Sequence, residues 1–294
     1  MIERVEIVTA ADGRRLEVFI GGAESGPLVI SHGGTPSSGH TFGPNLDAAR
    51  ERGLRHVAYA RPGYGESDRH EGRAVADCAA DTAAIADHLG AERFHTLGGS
   101  GGGPHALACA ALLPERVISA ASIAGAVPRE AEGLDWYAGM GDENLEEFGL
   151  AEEGAAALQP LLERETAKML DCRPEEVADA LGGLVSEVDR AALDGELAEH
   201  FASTFPHAVK HGVFGWLDDD LAFVRPWGFD LSRIESPVTI WHGAHDRFVP
   251  FAHGEWLAVH VSGARPRLLA DHGHISLTIA HYGDVLDELV GAAR

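Results

Sequence analysis

Cysteine, lysine and long apolar runs are all scarce in this sequence. Only three of its 294 residues are cysteines (Cys78, Cys109 and Cys172), and no two of them form a C-x-x-C pair. An odd, scattered set of this kind indicates no disulfide framework and favours a reducing compartment. The 46 acidic residues outnumber the 23 basic ones, which leaves a formal net charge of −23. Because this charge repels phosphate groups, nucleic acids and anionic membrane surfaces are poor partners.

Segments for targeting or membrane insertion are also missing from the pattern. No apolar run approaches the ~18 residues that indicate a membrane-spanning helix. The first residues lack a basic region followed by an apolar one, so we expect no signal peptide. With 45% hydrophobic residues, the composition is that of an ordinary globular protein. We therefore expect a cytoplasmic protein with one large domain, or one core domain with an insertion.

Short apolar runs alternate with helix-like segments in the first 127 residues and again after residue 230. The first two runs flank a turn and predict a starting hairpin within residues 5–20. The later runs are separated by helix-like segments, so we expect crossover connections and mostly parallel strands. This pattern predicts an α/β protein with a mostly parallel, doubly wound sheet. Ligands of such sheets bind beyond the carboxyl ends of the strands.

The alternation of strands and helices stops in the middle of the chain, where acid-rich, helix-like segments take over. Three helices are predicted there, over residues 155–170, 174–184 and 186–201. We interpret the stretch as a helical cap inserted into the core. The predicted division is a core of residues 1–127 and 230–294 with a cap of residues 128–229.

A Gly-x-Ser-x-Gly motif with Ser100 at its centre follows one of the apolar runs. An alanine-rich, helix-like segment comes next, which is the strand–turn–helix pattern of a nucleophile elbow. The sharp turn strains the serine backbone and leaves no room for side chains at Gly98 and Gly102. The alternatives are an ordinary glycine-rich turn and a phosphate-binding loop. Because no Gly-Lys-Ser/Thr follows, the nucleotide P-loop is excluded.

Four further short motifs lie at predicted strand ends. They are His32-Gly33-Gly34, Arg61-Pro62-Gly63-Tyr64-Gly65-x-Ser67, Gly243-Ala244-His245-Asp246-x-x-Val249-Pro250 and Gly273-His274-x-Ser276. With the elbow motif, and in this order, they resemble the α/β-hydrolase family over nearly the whole chain. The resemblance implies the α/β-hydrolase fold with a helical cap insertion.

The resemblance also implies a role for five residues. Ser100 is the nucleophile, His274 is the base that takes its proton, and Asp246 orients the imidazole. His274 later protonates the leaving group. The backbone N–H groups of Gly34 and Gly101 form the oxyanion hole, where negative charge develops.

Two of these assignments have rivals in the sequence. His272 competes with His274 as the base, and the family pattern favours His274 because it places the base after a glycine. Asp246 has the alternative of being a turn residue before Val249-Pro250. Residues 122–126, at the other suitable strand end, offer no carboxylate, which favours Asp246.

A metal site is a further alternative, because four histidines lie near predicted strand ends. They are His242, His245, His272 and His274. A catalytic base and its neighbours account for them, and they lack the tight ligand spacing with carboxylate partners that a metal requires. We therefore predict neither a metal nor another cofactor.

The predicted function is a serine hydrolase that cleaves a small-molecule carboxylic ester, lactone or amide through an acyl-enzyme. One alternative is an aminopeptidase of the proline iminopeptidase type, with the acidic cap binding a free amine. Thr35 and Gly101 depart from the pattern of that branch, which has proline and tryptophan at these places. The other alternative is a catalytically silent, ligand-binding homologue. A small molecule is the expected partner, and the oligomeric state, including a homodimer, is left open.

Overall fold

A computed structural model describes residues 4–193 and 195–291. In these residues eight strands form a single sheet, in the order β1-β2-β4-β3-β5-β6-β7-β8. The strands are β1 (Arg4–Thr9), β2 (Arg15–Gly22), β3 (Leu28–His32), β4 (Arg55–Tyr59), β5 (Phe94–Gly99), β6 (Val117–Ile123), β7 (Val238–Gly243) and β8 (Arg265–Leu269).

Strand β2 pairs antiparallel with both β1 and β4, whereas all the other neighbouring strands are parallel. The predicted starting hairpin and the mostly parallel, doubly wound sheet are therefore confirmed. Parallel pairing aligns the strand ends, so that His32 pairs with Gly98 and Gly98 pairs with Ser122. The turns that follow β3, β5, β6 and β7 thus meet at one edge of the sheet, which we call the carboxyl edge.

Helices cover both faces of the sheet, since strand residues alternate between its two sides. Val29 packs in an apolar cluster with Leu286, whereas Ile30 packs in another with Leu107. The helices of the described residues are α1 (Gly43–Glu51), α2 (Cys78–His88), α3 (Gly102–Leu112), α4 (Asp142–Glu153), α5 (Ala155–Leu170), α6 (Val177–Ala180), α7 (Glu187–Ala192), α8 (Gly195–Ala208), α9 (Phe214–Phe223), α10 (Phe251–His260) and α11 (His274–Gly291). Over residues 4–193 and 195–291, none of the helices has the length and apolar character needed to cross a membrane.

Helices α4–α9 lie between β6 and β7 in the chain, within the predicted cap. Two helix predictions were wrong. Residues 174–184 form two 3-10 turns on either side of the four-residue helix α6, and Gly182 has a φ of +59°. Residues 186–201 contain two helices, α7 and α8. Gly195, at the start of α8, has a φ of +45°, which a continuous right-handed helix does not allow. Residue 194 of that prediction lies outside the described residues.

The division into core and cap stays a prediction, and its residues 1–3 and 292–294 lie outside the described part. Residues 128–229 are called the cap segment from here on. One of the apolar clusters joins this segment to the core. In it, Phe19 and Tyr64 of the core pack with Leu158, Phe205 and Trp216. The cap segment is thus packed over the carboxyl edge through shared apolar burial.

Candidate active site

Ser100 lies in the turn between β5 and α3, at the carboxyl edge of the sheet. Its φ of +54° falls in the left-handed region, which a non-glycine residue adopts only where its surroundings impose it. Two backbone hydrogen bonds fix the turn. The Ser100 N–H donates to the Ile123 carbonyl at 2.8 Å, and the Gly103 N–H donates to the Ser100 carbonyl at 2.9 Å. The strand, the sharp turn and the helix expected of a nucleophile elbow are all present.

The glycines on either side of Ser100 are required by close backbone contacts. A Cβ atom at Gly98 would overlap the carbonyl oxygen of Gly102, and one at Gly102 would overlap the carbonyl oxygen of His32. Both obstacles are backbone atoms, so a larger residue would have to displace a strand or the start of α3. Steric room therefore explains why glycine occupies these two positions.

Asp246, in the loop after β7, and His274, the first residue of α11, form a buried pair. The Nδ1 atom of His274 lies 2.7 Å from Oδ2 of Asp246. The other carboxylate oxygen of Asp246 accepts the N–H groups of Phe248, at 2.9 Å, and Val249, at 2.8 Å. These bonds fix the carboxylate, and the ring of Phe248 stacks on the imidazole with centroids 4.5 Å apart. The imidazole is therefore held in one orientation from its edge and from its face.

The charges of the pair shift both pKa values in opposite directions. Burial lowers the pKa of His274, but the negative charge and the hydrogen bond of Asp246 outweigh burial, and Asp189 adds to them, so the pKa is raised. Burial raises the pKa of Asp246, yet His274 and the hydrogen bond from His242 lower it to about 2. Asp246 is therefore ionised at neutral pH and stabilises the protonated form of His274.

Two other histidines have different roles from those that the sequence suggested. The Nε2 atom of His242 lies 2.8 Å from the Val249 carbonyl oxygen and 3.4 Å from Oδ2 of Asp246. His242 is thus a support behind the carboxylate, a contact that its position in an apolar strand did not reveal. The ring of His272 instead packs edge-on against His281, with centroids 4.8 Å apart.

Ser100 and His274 line the same cavity, which has a volume of about 310 Å³. The hydrogen bonds found in residues 4–193 and 195–291 include none between these two side chains. Such bonds commonly tighten only when substrate is bound. Most of the cavity wall is apolar, and it is built mainly by the loop after β3, the cap segment and α11. Its apolar side chains include Phe42, Val177, Leu197, Phe201, Phe205 and Ile279.

Gly34 and Gly101 flank Ser100 from two different loops. A Cβ atom built on Gly34 would lie 3.4 Å from Cβ of Ser100 and 3.9 Å from its Oγ. Strand β3 ends at His32 and helix α3 starts at Gly102, so both glycines lie just outside regular hydrogen bonding. Backbone N–H groups at such positions are free to bind an anion. Their role as an oxyanion hole stays a prediction.

The loop that contains Gly34 is held by a buried ion pair. The guanidinium of Arg61 donates to the carbonyl oxygens of Gly33 and Gly34, the latter at 2.7 Å. Its Nη2 also lies 2.6 Å from Oδ2 of Asp219 in α9. Arg73 reaches the other oxygen of Asp219 at 2.7 Å.

Hydroxyl groups complete the surroundings of Asp219. Thr35 and Tyr64 each donate to its Oδ2 at 2.8 Å. Burial raises the pKa of Asp219, but the charges of Arg61 and Arg73 outweigh burial and hold the pKa far below its usual range. Asp219 thus connects the cap segment, through Arg61, to the loop that contains Gly34. The sequence missed this contact, and its one signal was the acidic run of residues 218–220.

A second cavity, of about 250 Å³, adjoins Ser100 and Gly101 on the side of the cap segment. Its wall carries two neighbouring carboxyl groups, those of Glu147 and Asp220. Glu147 accepts the indole N–H of Trp216 at 2.8 Å. Asp220 is only 1% exposed, and no N–H or O–H group of the described residues donates to either of its carboxyl oxygens. Burial, followed by the neighbouring Glu147 carboxyl, raises the pKa of Asp220 well above its usual range.

The described residues contain no group of three or more histidine, cysteine, aspartate or glutamate side chains arranged to hold a metal ion. The histidines that suggested such a site are instead separated in function. His242 and His274 both contact Asp246, whereas His272 faces α11.

Residues 26–278 match the sequence model of the alpha/beta hydrolase fold. An uncharacterised hydrolase of Bacillus subtilis, YcgS, is 26% identical over 281 residues, which cover 94% of this chain and 93% of that protein. A 2-hydroxy-6-oxononadienedioate/2-hydroxy-6-oxononatrienedioate hydrolase of Klebsiella pneumoniae is 26% identical over 268 residues, covering 89% and 86%. The enol-lactonase of Burkholderia xenovorans superposes with a TM-score of 0.70 at 19% identity, covering 97% of this chain and 100% of that one. At 19% identity, the likeness to the enol-lactonase shows a shared fold alone.

Proposed function

The chain belongs to the α/β-hydrolase fold family, and from this premise we propose that it is a serine hydrolase of small molecules. Its substrate is a carboxylic ester, lactone or amide, which it cleaves through an acyl-enzyme. The observation that carries the proposal is the Asp246–His274 pair, joined at 2.7 Å, on the wall of the cavity that also contains Ser100. A hydroxyl, an imidazole and an oriented carboxylate at one sheet edge are the groups that acyl transfer requires.

In the first half of the reaction, the Ser100 hydroxyl oxygen attacks the substrate carbonyl carbon while His274 takes the hydroxyl proton. Asp246 stabilises the imidazolium that forms, and its own pKa of about 2 keeps it ionised throughout. The N–H groups of Gly34 and Gly101 bind the carbonyl oxygen as it becomes negative. When the intermediate collapses, the bond to the leaving group breaks and His274 gives its proton to that group.

The second half repeats the same steps with water. His274 takes a proton from a water molecule, whose oxygen attacks the acyl carbon on Ser100. The acyl–oxygen bond then breaks, and the proton returns from His274 to the Ser100 oxygen. The products are a carboxylic acid and the regenerated enzyme, and no redox step is needed.

The larger cavity supports an apolar group on one side of the scissile bond. Its volume of about 310 Å³ and its apolar wall fit a small organic group rather than a polymer. The names of the Klebsiella and Burkholderia relatives, a dienedioate hydrolase and an enol-lactonase, support a small substrate with an activated carbonyl. We therefore expect short esters and lactones to be turned over first in an activity screen.

A fluorophosphonate probe tests the proposal, because it reacts only with an activated serine. We expect covalent labelling of the wild type at Ser100, located by mass spectrometry of the labelled peptide. Ser100→Ala should abolish the labelling, whereas Ser262→Ala, at an exposed turn, should leave it unchanged. A folded wild type that stays unlabelled and turns over no ester or lactone would overturn the proposal.

A second candidate function, aminopeptidase activity, is favoured by the carboxyl pair of the second cavity. Glu147 and Asp220 lie in the wall of a cavity that reaches Ser100, and no N–H or O–H group of the described residues donates to Asp220. A protonated amine on the acyl part of a substrate would supply donors and positive charge to this pair. Amino-acyl amides and esters are therefore the substrates of this candidate.

An amino-acyl naphthylamide and its N-acetylated counterpart separate the two functions. The aminopeptidase hydrolyses the free amine at least tenfold faster in kcat/KM. The double substitution Glu147→Gln with Asp220→Asn should remove that preference. Glu146→Gln, at an exposed carboxylate on the rim of the same cavity, should keep it. Equal rates on both compounds would exclude this candidate and leave the esterase function untouched.

The remaining alternative is a silent, ligand-binding homologue. Tight binding of an ester without turnover, together with no fluorophosphonate labelling, would support it over hydrolysis. We also propose a cytoplasmic location, which the three free thiols of the described residues, Cys78, Cys109 and Cys172, support. The net charge of −23 argues against nucleic-acid partners, and sedimentation or light-scattering measurements distinguish a homodimer from a monomer.

A further inference from the structure

The first turn of α11, which begins at His274, is capped by a side chain from the cap segment. Asp189, on α7, accepts the backbone N–H of His274 through Oδ2 at 3.0 Å. Its Oδ1 accepts the N–H groups of Ile275 and Ser276, both at 2.9 Å. The first N–H groups of a helix have no partner within the helix, so an external acceptor is needed when they are buried. A residue 85 positions earlier in the chain supplies it here.

Two hydroxyl groups complete the hydrogen bonding of this carboxylate. Ser276 donates to Oδ1 at 2.9 Å, and Ser186, from the cap segment, donates to Oδ2 at 2.9 Å. Asp189 is completely buried. Unlike Asp219, it has no arginine or lysine partner among the described residues, so the N-terminus of α11 and the two hydroxyls must stabilise its charge.

The position of Asp189 leaves little freedom for the loop before α11. A Cβ atom on Gly273 would collide with the Asp189 carboxylate, so the backbone directly before His274 lies against it. The Gly273 N–H in turn donates to Oγ of Ser276 at 2.8 Å. One cap-segment carboxylate therefore fixes the backbone on both sides of the His274 Cα atom.

We propose that Asp189 is a positioning residue, which holds the backbone of His274 so that its ring meets Asp246 and Ser100. The proposal rests on the proposed function, because it assumes that His274 is the general base. It assigns to the cap segment a part in the proton transfer besides that of covering the cavity. Correct packing of α7 then becomes a condition for a correctly placed base.

The charge of Asp189 acts on His274 as well. Three titratable groups lie next to His274 or its supports: Asp246 in the loop after β7, His242 behind Asp246, and Asp189 on α7. Other titratable groups lie elsewhere on the cavity wall, namely His32, His40, Cys172, His200 and Tyr282. The other charged residues of α7, Glu187 and Arg190, are exposed to solvent. Asp189 contributes to the raised pKa of His274. Removing its charge should therefore lower the pKa of His274.

The test compares Asp189→Asn with the wild type, using NMR titration of the His274 ring and the pH profile of kcat/KM. We expect the pKa of His274 to fall by about 0.5 unit, and the acidic limb of the profile to move equally far to lower pH. At the optimal pH, kcat should fall about tenfold with KM little changed, since misplacement acts on the reacting geometry. Asp230→Asn, at an exposed aspartate that caps a short turn through Ser232, should alter none of these quantities.

A second variant guards against failure of Asp189→Asn to fold. Ser186→Ala removes one donor to Asp189 and leaves the negative charge less compensated. The pKa of His274 should then rise by a few tenths of a unit, opposite in sign to the first variant, and kcat should fall two- to fivefold.

The outcomes separate the two proposals. Wild-type protein without fluorophosphonate labelling or turnover overturns the proposed function, whereas the NMR titration still measures the coupling of Asp189 to His274. If the wild type is labelled and active, and the folded variants have the same His274 pKa and the same kcat/KM as the wild type, the positioning role is overturned. Loss of stability alone, with both quantities unchanged, also overturns it.

Discussion

The carboxyl edge of the sheet and the cap segment each contribute a buried aspartate to the site, but the two have different partners. Asp246, from the sheet edge, lies 2.7 Å from the imidazole of His274, which gains and loses a proton in the proposed reaction. Asp219, from the cap segment, lies between Arg61 and Arg73, whose charges are permanent. The sheet edge therefore carries the groups that change charge during the proposed reaction, whereas Asp219 of the cap segment forms ion pairs with two core arginines, whose charges stay constant.

This difference indicates how the two regions divide the work. Reacting groups need a partner that responds to proton movement, which a carboxylate beside an imidazole provides. The loop that contains Gly34 needs a rigid frame for its proposed role as an oxyanion hole, and Asp219 with its arginines and hydroxyl donors provides one. Replacements at the sheet edge should thus mainly affect rate, and replacements around Asp219 should mainly affect stability.

The largest effect is expected from the sheet edge. His274→Ala should lower kcat on an activated ester by up to about 10⁶-fold, because the Ser100 hydroxyl loses its base. Asp246→Asn should cost about 10⁴-fold, since the imidazole loses its orientation and charge stabilisation. Steady-state kinetics and thermal unfolding measure rate and stability on the same samples. His260→Ala, at an exposed ring that stacks on Trp256, should match the wild type; equal losses in all three variants would contradict the assignment.

The next largest effect should appear in stability. Asp219→Asn leaves Arg61 and Arg73 buried without a compensating charge, so the free energy of unfolding should fall by about 3–5 kcal/mol. Urea denaturation followed by circular dichroism measures the loss. Asp218→Asn is the matched control on the same helix. The partner of Asp218, Arg69, has a side chain that is 30% exposed. The free energy of unfolding should therefore fall clearly less in Asp218→Asn than in Asp219→Asn. Equal losses of unfolding free energy in the two variants would contradict a special stabilising role of Asp219.

The smallest effect concerns pH and separates Asp246 from Asp218 by their influence on the titration of His274. The pKa of His274 is raised above its ordinary value of about 6.5. Because only the neutral ring acts as a base, kcat/KM should fall as pH decreases through that raised pKa, with a midpoint above about 6.5. Asp246→Asn should move the midpoint of its residual activity to lower pH, whereas Asp218→Asn should not move it. A wild-type midpoint near pH 5 would contradict the raised pKa.

The sequence predicted the sheet edge far better than the cap segment. Gly-x-Ser-x-Gly and the other strand-end motifs are local patterns, and parallel strands necessarily bring their ends together. The roles of Asp189 and Asp219 depend on contacts between residues 85 and 158 positions apart, respectively. Acidic residues in a helical segment usually face solvent, so nothing local distinguishes these two from their neighbours. The same holds for His242, whose support of Asp246 depends on the turn that follows β7.

The hydrogen bond from Arg61 to the Gly33 carbonyl fixes the direction of the peptide dipole between Gly33 and Gly34. In a trans peptide unit, the carbonyl of one residue and the N–H of the next point in opposite directions within one plane. The Gly33 carbonyl and the Gly34 N–H belong to the same unit, and the carbonyl is turned toward Arg61. The N–H is therefore directed away from the guanidinium, so a cation at one edge of this peptide unit sets the direction in which the N–H is presented at the other edge.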